Sequence, residues 1–235
     1  LLMLLGMSLT HAATPDDAIN TKQDVRIFTT QNKQNTITPQ SIQKTFEDAE
    51  FIVDKNKDMN EKFKKAFGKT HYHSYRLFTV HSTKHLISLL KKSDNIGLIT
   101  PLSMSIYTDP INKPLSHISI ASLSLRGMAR ATNLTLNDPD LIAYNTLVQN
   151  TIEKAFPGGT YKTLKHKSVE LIEHDLAIIH ELKLKGGKNK AVSLKAKQAF
   201  QEEFKTDLAK HSFTFPGQID LAKELAALGE NDFDY

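Results

Sequence analysis

Ten histidines in a chain without a single cysteine are the first residues to ask about chemistry. Four of them cluster: His71, His73, His81 and His85. On a strand, residues two apart project from one face, so His71 and His73 can offer two neutral imidazole nitrogens to one Zn²⁺ or Cu²⁺. His81 shares their parity but lies about 26 Å further along an extended strand. Ser82, as a helix N-cap, leaves His81 outside the helix that would set it one turn from His85. No Glu or Asp accompanies these residues at the spacing of a zinc protease. The histidines therefore read as surface and strand-end residues; the alternative is a metal-binding pair at His71 and His73, open to a further donor from His81 or His85, sooner than a catalytic centre.

A second group suits anions. Arg76 lies among apolar neighbours on the same strand face as Phe78, and a cation there is either paired or presented to an anion. His117 opens a later strand, and Arg126 and Arg130 follow that strand's end. Arg76, His117 and Arg126 are the candidate lining of a small anionic-ligand or partner site; the alternative is that Arg76 pairs with a core-edge acid and Arg126 is a surface residue.

Other chemistries find little support. The absence of Cys removes thiolate nucleophiles, Cys-ligated metals and a cysteine-borne lipid anchor. There is no Gly-x-Ser-x-Gly elbow, and the serines of 116–124 fall at sheet-face spacing. Glu202 and Glu203 sit on an amphipathic helix. Gly158-Gly159 and Gly186-Gly187 are isolated dipeptides that end helices, with no phosphate-cradling loop around them, so no cofactor is implied. Net charge is +4, and the excess lies before residue 165. Lys62, Lys64, Lys65, Lys69, Lys91 and Lys92 alternate with acids and amides, the pattern of solvated helix faces and not of a nucleic-acid stripe.

The elements that must position these residues follow from pattern. Val25–Thr29 reads as a strand. Thr38-Pro39 supplies an N-cap and first-turn proline for a helix with Ile42 and Phe46 inward. Residues 51–53 read as a short strand, and Asp58 as the cap of a helix through Phe63 and Phe67, stopped by Gly68. Residues 72–80 form the strongest strand, apolar on both faces toward its end and hence interior. Ser82 opens a helix with Leu86, Ile87, Leu89 and Leu90 inward. Residues 103–108 and 117–122 alternate as a hairpin joined by an Asp-Pro-rich turn. Asp138-Pro139 begins a helix with Leu141, Leu147 or Val148, and Ile152 inward. Beyond residue 164 only helical spacing recurs: Val169 to Leu182, Leu194 to Leu208, and Ile219 to Ala226.

The first 13 residues are uncharged and apolar, end in small side chains, and give way to Thr14-Pro15-Asp16-Asp17. They read as a truncated secretory signal peptide over residues 1–12, cleaved after Ala12 with Thr10 at the −3 position. No later run reaches the ~18 apolar residues of a membrane span. The expected organisation is a leader (1–12), an α+β domain (14–164) and a helical extension (165–235).

The order of Tyr75-Arg76-Leu77-Phe78, the helix to Leu90, Gly97-Leu98-Ile99-Thr100-Pro101, the strands 103–109 and 118–122, and the helix after Asp138-Pro139-Asp140 resembles the bacterial family known as domain of unknown function 302, over residues 36–157. The resemblance implies a compact α+β domain with a small antiparallel sheet and helices packed on it, often self-associating, and no established activity. The family commonly places a small residue or Cys, then Asn-Pro, where this chain has Val80-His81-Ser82-Thr83, and Leu-Pro where it has Thr100-Pro101.

The sequence thus describes an α+β protein with an antiparallel-rich sheet and a C-terminal helical extension, exported to the periplasm or medium and soluble after cleavage. It is read as a non-enzymatic binding or envelope-associated module for a small anionic ligand or protein partner. The alternatives are a His-based metal binder, a hydrolase with an unrecognised site, and a self-associating module, a homo-oligomer, built on the extension.

Overall fold

The computed structural model describes residues 21–164, 190–210 and 221–229, and the chain divides into two compact units, Leu1–Ala177 and Ile178–Tyr235. The leader expected at 1–12 and the helix expected over 169–182 lie outside the described residues. Strand β1 (Val25–Gln31) is followed by α1 (Pro39–Asp48), β2 (Ile52–Asp58), α2 (Asn60–Phe67), β3 (Tyr75–His81) and α3 (Thr83–Leu90). A 3-10 helix (Asp94–Ile99) leads to β4 (Leu102–Thr108), β5 (His117–Leu123), α4 (Leu125–Thr132), α5 (Pro139–Ala155) and the two-residue β6 (Thr160–Tyr161). The strands form one sheet in the order β2-β3-β4-β5-β1-β6, every neighbour antiparallel. This is the α+β class expected.

Strand alternation sorts the sheet into two faces. Phe78 and Val80 of β3, Met104 and Ile106 of β4, Ile118 and Ile120 of β5, and Arg26 and Phe28 of β1 share one face, and all are buried. Helix side chains close over them: Ile42 and Phe46 of α1, Leu86 and Leu89 of α3, Met128 of α4, and Leu141, Val148 and Ile152 of α5 are fully or almost fully buried. Of the two candidates on α5, Val148 turns inward and Leu147 is half-buried. The Phe46 ring meets Phe78 edge-on at 5.1 Å. The other face carries Tyr75, Thr79, Tyr107, Ser119 and Thr29, a polar and aromatic surface.

Local chemistry explains most boundaries. Thr38 and Ser41 form a reciprocal cap at the start of α1, with Pro39 in the first turn. Asp138 Oδ1 accepts the amides of Asp140 and Leu141 to start α5. Gly68 ends α2 at φ 73°. Three expectations shift. The second strand runs on to Asp58, so Asp58 caps α2 from inside β2, its Oδ1 accepting the Asn60 amide at 2.8 Å. The strand expected over 72–80 begins only at Tyr75, because Tyr72 makes a single bridge to Pro110 and His71 and His73 belong to the connection from α2. Residues 125–132, given no element by their sequence pattern, form α4, capped by Ser124.

The second unit contains α6 (Lys190–Lys210) and α7 (Leu221–Ala227), both helical as their spacing predicts. Leu225 of α7 is buried, while Phe200 and Phe204 of α6 stack at 6.0 Å and remain exposed.

Candidate functional site

A cavity of about 540 Å³, within the range of small-ligand sites, lies at one end of the sheet face opposite the helices. Its floor comes from adjacent strands: Thr29 of β1 and Ser119 of β5, whose hydroxyls bond at 2.8 Å, with Tyr107 opposite Ser119 in the β4–β5 register. Tyr72 and Pro110 form one wall, and Gly158, Thr160 and Lys162 the other.

Each lining group is placed by a local device. His117 enters through Asp109, whose Oδ2 accepts the amides of Ser116 and His117, both at 2.7 Å, and the Ser116 hydroxyl at 3.1 Å. This carboxylate pins the 109–116 loop to the head of β5. Burial alone would push the Asp109 carboxyl up, but the amides of Ser116 and His117, the Ser116 hydroxyl and the nearby imidazole together hold it below its usual range. The His117 Nδ1 lies 2.8 Å from Ser116 Oγ and 3.4 Å from Asp109. Its Nε2 is then the ring nitrogen available to a ligand. Burial raises the Tyr107 hydroxyl above its usual pKa, and Tyr72 adds to the effect.

Lys162 reaches the cavity by a different route. Thr30 Oγ1 donates to Pro157 O at 2.7 Å, fixing the turn that ends α5. At Gly159 a Cβ would stand 2.4 Å from the Phe28 ring, so only glycine lets the chain cross β1 this closely. Beyond it β6 pairs with β1, Tyr161 packs edge-on against Phe28 at 4.6 Å, and the Lys162 amide donates to Ile27 O. Among the described residues Lys162 has no carboxylate partner. Gly158-Gly159 thus does more than terminate a helix, and the β-prone Thr160-Tyr161 pair after it was the available signal.

The three residues predicted to bind an anion do not share one site. His117 alone lines the cavity. Arg76, on the helix-covered face, donates Nε and Nη2 to Asn56 at 2.8 and 2.6 Å and lies 3.6 Å from Asp58. That is the paired alternative, with the side-chain and backbone oxygens of Asn56 as hydrogen-bond partners and Asp58 as the nearby acid. Arg126 lies beyond the far end of β5 from His117, past a seven-residue strand about 20 Å long. It pairs with Asp24 at 3.2 Å, as does Arg130, and lines a separate depression with Ala129 and Leu134.

The histidines also disperse. His73 Nε2 bonds Lys113 O at 3.0 Å, and His71 is exposed in the same connection. His81 is buried, its Nδ1 2.8 Å from Asp54, the extra residue of a bulge in β2. His85 accepts or donates at Nδ1 with Ser82 Oγ at 2.6 Å and stacks on Phe51. Among the described residues, no three His, Asp or Glu side chains gather as a metal-ligand group.

The strand-end turn at 80–85 gives the hydrolase alternative its geometry: Ser82, then His85, then Glu50 at 3.7 Å from His85 Nε2. The last distance exceeds a hydrogen bond. Glu50 is held instead by Lys84 at 2.9 Å, Ser82 is 2% exposed, and it lines none of the cavities described here. The pair is a local brace at the start of α3.

Sequence reasoning also missed Arg26, buried in the helix-covered core. Its Nε donates to Ser122 Oγ at 2.9 Å and its Nη1 to Asn145 Oδ1 at 2.8 Å. Burial lowers its pKa to about 10, with Tyr161, Tyr144 and Glu153 drawing it back, so it stays cationic at neutral pH. A lone Arg in Val25-Arg26-Ile27-Phe28 carries no signal that its face is the covered one.

No family model matches the chain, and no curated protein matches it. Among solved structures, the chain is similar to the crystal structure of an uncharacterized conserved protein, DUF302, from Bacillus stearothermophilus. The two are 14% identical, the match covers 55% of this chain and 94% of that one, and the TM-score is 0.41. The family designation is the one that the sequence resembles. Among the described residues, no helix is long and apolar enough to cross a membrane.

Proposed function

We propose that this protein is an exported, non-enzymatic binding module that takes a small anionic, hydroxyl-rich molecule in the cavity on the open face of its sheet. The observation that carries the reading is the lining itself. A lysine without a carboxylate partner among the described residues and an imidazole oriented through its Nδ1 stand over a floor of Thr and Ser hydroxyls, beside two tyrosine rings. Lys162 and, in its imidazolium form, His117 supply the anion-facing donors, the hydroxyls of Thr29, Ser119 and Thr160 match ligand hydroxyls, and Tyr72 and Tyr107 offer apolar faces. Asp109 also lines the cavity, but its Oδ2 is occupied by the loop amides. Export rests on the apolar leader and its small-residue end.

The test is amide chemical-shift mapping on the full chain with three probes: inorganic phosphate, gluconate and neutral glucose. The expected result is saturable shifts at Thr29, His117, Ser119, Thr160 and Lys162 with gluconate, weaker shifts with phosphate and the weakest with glucose. Lys162→Ala and His117→Ala should each weaken gluconate binding by about tenfold, one charge-assisted hydrogen bond apiece. Shifts absent from the cavity at millimolar gluconate, or unaffected by both substitutions, would refute the assignment.

A further inference from the structure

Helix α2 is unusual in burying no residue, although an amphipathic helix ordinarily folds by sinking an apolar stripe. It is held by one ring contact, Phe63 against Tyr75 at 5.3 Å, and by Asn60 Nδ2 donating to the carbonyls of Tyr72 and His73. Phe67, one turn beyond Phe63 on the same helix face, is 72% exposed. Ile111 is 52% exposed; its amide bonds His71 O, and it lines a depression of about 470 Å³ together with Lys69 just past the end of α2. Two large apolar side chains therefore stand in water at one edge of the fold.

Their surroundings are basic. Residues 55–69 hold six lysines against Asp58 and Glu61, an excess equal to the net +4 of the whole chain. Asp58 already faces Arg76. Among the described residues, Lys57, Lys62, Lys64, Lys65 and Lys69 have no carboxylate partner, and all are exposed. Lysines spread over a surface helix usually alternate with acids that neutralise them. Here Glu61 is the helix's only acid, so the alternation read from the sequence comes down to one carboxylate, and the lysines flank exposed Phe and Ile.

We propose that this face is a docking surface for an anionic lipid bilayer, with Phe67 and Ile111 entering the boundary between headgroups and acyl chains and the lysines over the anionic headgroups. Basic residues around a few protruding apolar side chains are what an interfacial contact needs. Single-stranded nucleic acid would need rings presented face-out along a basic groove. The tyrosines nearest α2 pack ring against ring instead of lining up along the lysines: Tyr72 lies 5.1 Å from Tyr107, and Tyr75 stacks on Tyr107 at 6.1 Å. The depression beside Ile111 shares Tyr72 and Pro110 with the ligand cavity, but neither Phe67, Ile111 nor any of these lysines lines that cavity, so either proposal can fail alone.

The test is sedimentation of the full chain with vesicles of phosphatidylglycerol mixed with phosphatidylcholine, against vesicles of phosphatidylcholine alone. Binding is expected only to the first, weakening as salt is raised. The triple variant Lys62→Gln, Lys64→Gln, Lys65→Gln should lose about a hundredfold in partition coefficient, near fivefold per lysine at the surface. Phe67→Ser should lose about tenfold with its thermal midpoint unchanged, since the ring is exposed in the free protein. Equal binding to both vesicle types, no binding to either, or an unaffected Phe67→Ser variant overturns the proposal. So does a salt-sensitive preference for an oligothymidylate over the anionic vesicles.

Discussion

The Asp109 carboxylate offers a direct check on how the site is built. One oxygen, Oδ2, accepts the amides of Ser116 and His117 and the Ser116 hydroxyl, and the side chain is 17% exposed. Asp109→Ala removes all three bonds. Hydrogen bonds to a charged acceptor contribute about 1.5–3 kcal/mol each when water is excluded, and the half-buried loop amides recover part of that by hydration, so the net loss is placed at about 2–3 kcal/mol. For a unit of this size that lowers the thermal midpoint by roughly 5–10 °C. Asp109→Asn keeps an acceptor of the same shape and should lose about 1 kcal/mol. The pH dependence has a definite sign. Because the folded carboxyl titrates below its unfolded value of about 3.9, its stabilisation is complete at neutral pH and is lost as pH falls through the folded value. The stability gap between wild type and Asp109→Asn should therefore be present at neutral pH and close in strong acid, as the pH falls through the folded value. Thermal melts across pH give this gap, and amide hydrogen exchange locates it. Exchange at Ser116 and His117 should accelerate by about thirtyfold in Asp109→Ala, the equivalent of ~2 kcal/mol of local opening. Unchanged exchange at those two amides would refute the role of the carboxylate, whatever the melting point did.

Two further substitutions probe the frame behind the site. Gly127 lies in α4 where an added Cβ would stand 2.0 Å from the Asp24 carbonyl oxygen, a backbone atom that cannot rotate away. Gly127→Ala should destabilise by about 2 kcal/mol in urea unfolding even after the ~1 kcal/mol gained in helix propensity, and a stabilised variant would show that α4 does not sit on β1 this closely. Asn145→Ala takes away the Oδ1 that accepts from buried Arg26, so a loss of about 2–3 kcal/mol is expected in the same assay. A loss within experimental error would mean that the Arg26–Asn145 bond contributes nothing to stability.

Much of the architecture was legible because its signals are local. Thr38-Pro39 and Asp138-Pro139 announce helix starts through side chains that satisfy the first amides, and Gly68 announces an end through a positive φ. Ile42, Phe46, Leu86 and Leu89 mark inward faces by their spacing alone. The hairpin of β4 and β5 follows from two alternating runs around Asp109-Pro110. Less was legible where one element leans on another. Leu125–Thr132 is short, and its buried stripe of Leu125, Met128 and Ala129 is interrupted by Gly127 and two arginines, so α4 leans on tertiary contacts: Gly127 admits close approach and Arg126 and Arg130 reach Asp24. Tyr72 resembles the start of β3 by propensity, yet its backbone pairs with Pro110 and the regular strand begins three residues later.

For the site, the division is sharper. Residue types and spacing made His117, Arg76 and Arg126 candidates, since each is a polar group beside an apolar strand. Which of them meet is a matter of sheet register and of which face the helices cover. A strand's two faces alternate residue by residue, so position along the chain says nothing about which is covered. Register carries His117 beside Thr29 and Ser119, keeps Arg76 with Asn56 on the covered side, and leaves Arg126 a strand's length away. Lys162 joins His117 across more than forty residues because Gly159 lets β6 cross Phe28. The sequence by itself determined the elements, their order and the chemistry each could offer, because caps, breakers and periodicity act within a few residues. The tertiary structure decided which of those groups share a cavity, because that depends on contacts between residues far apart in the chain.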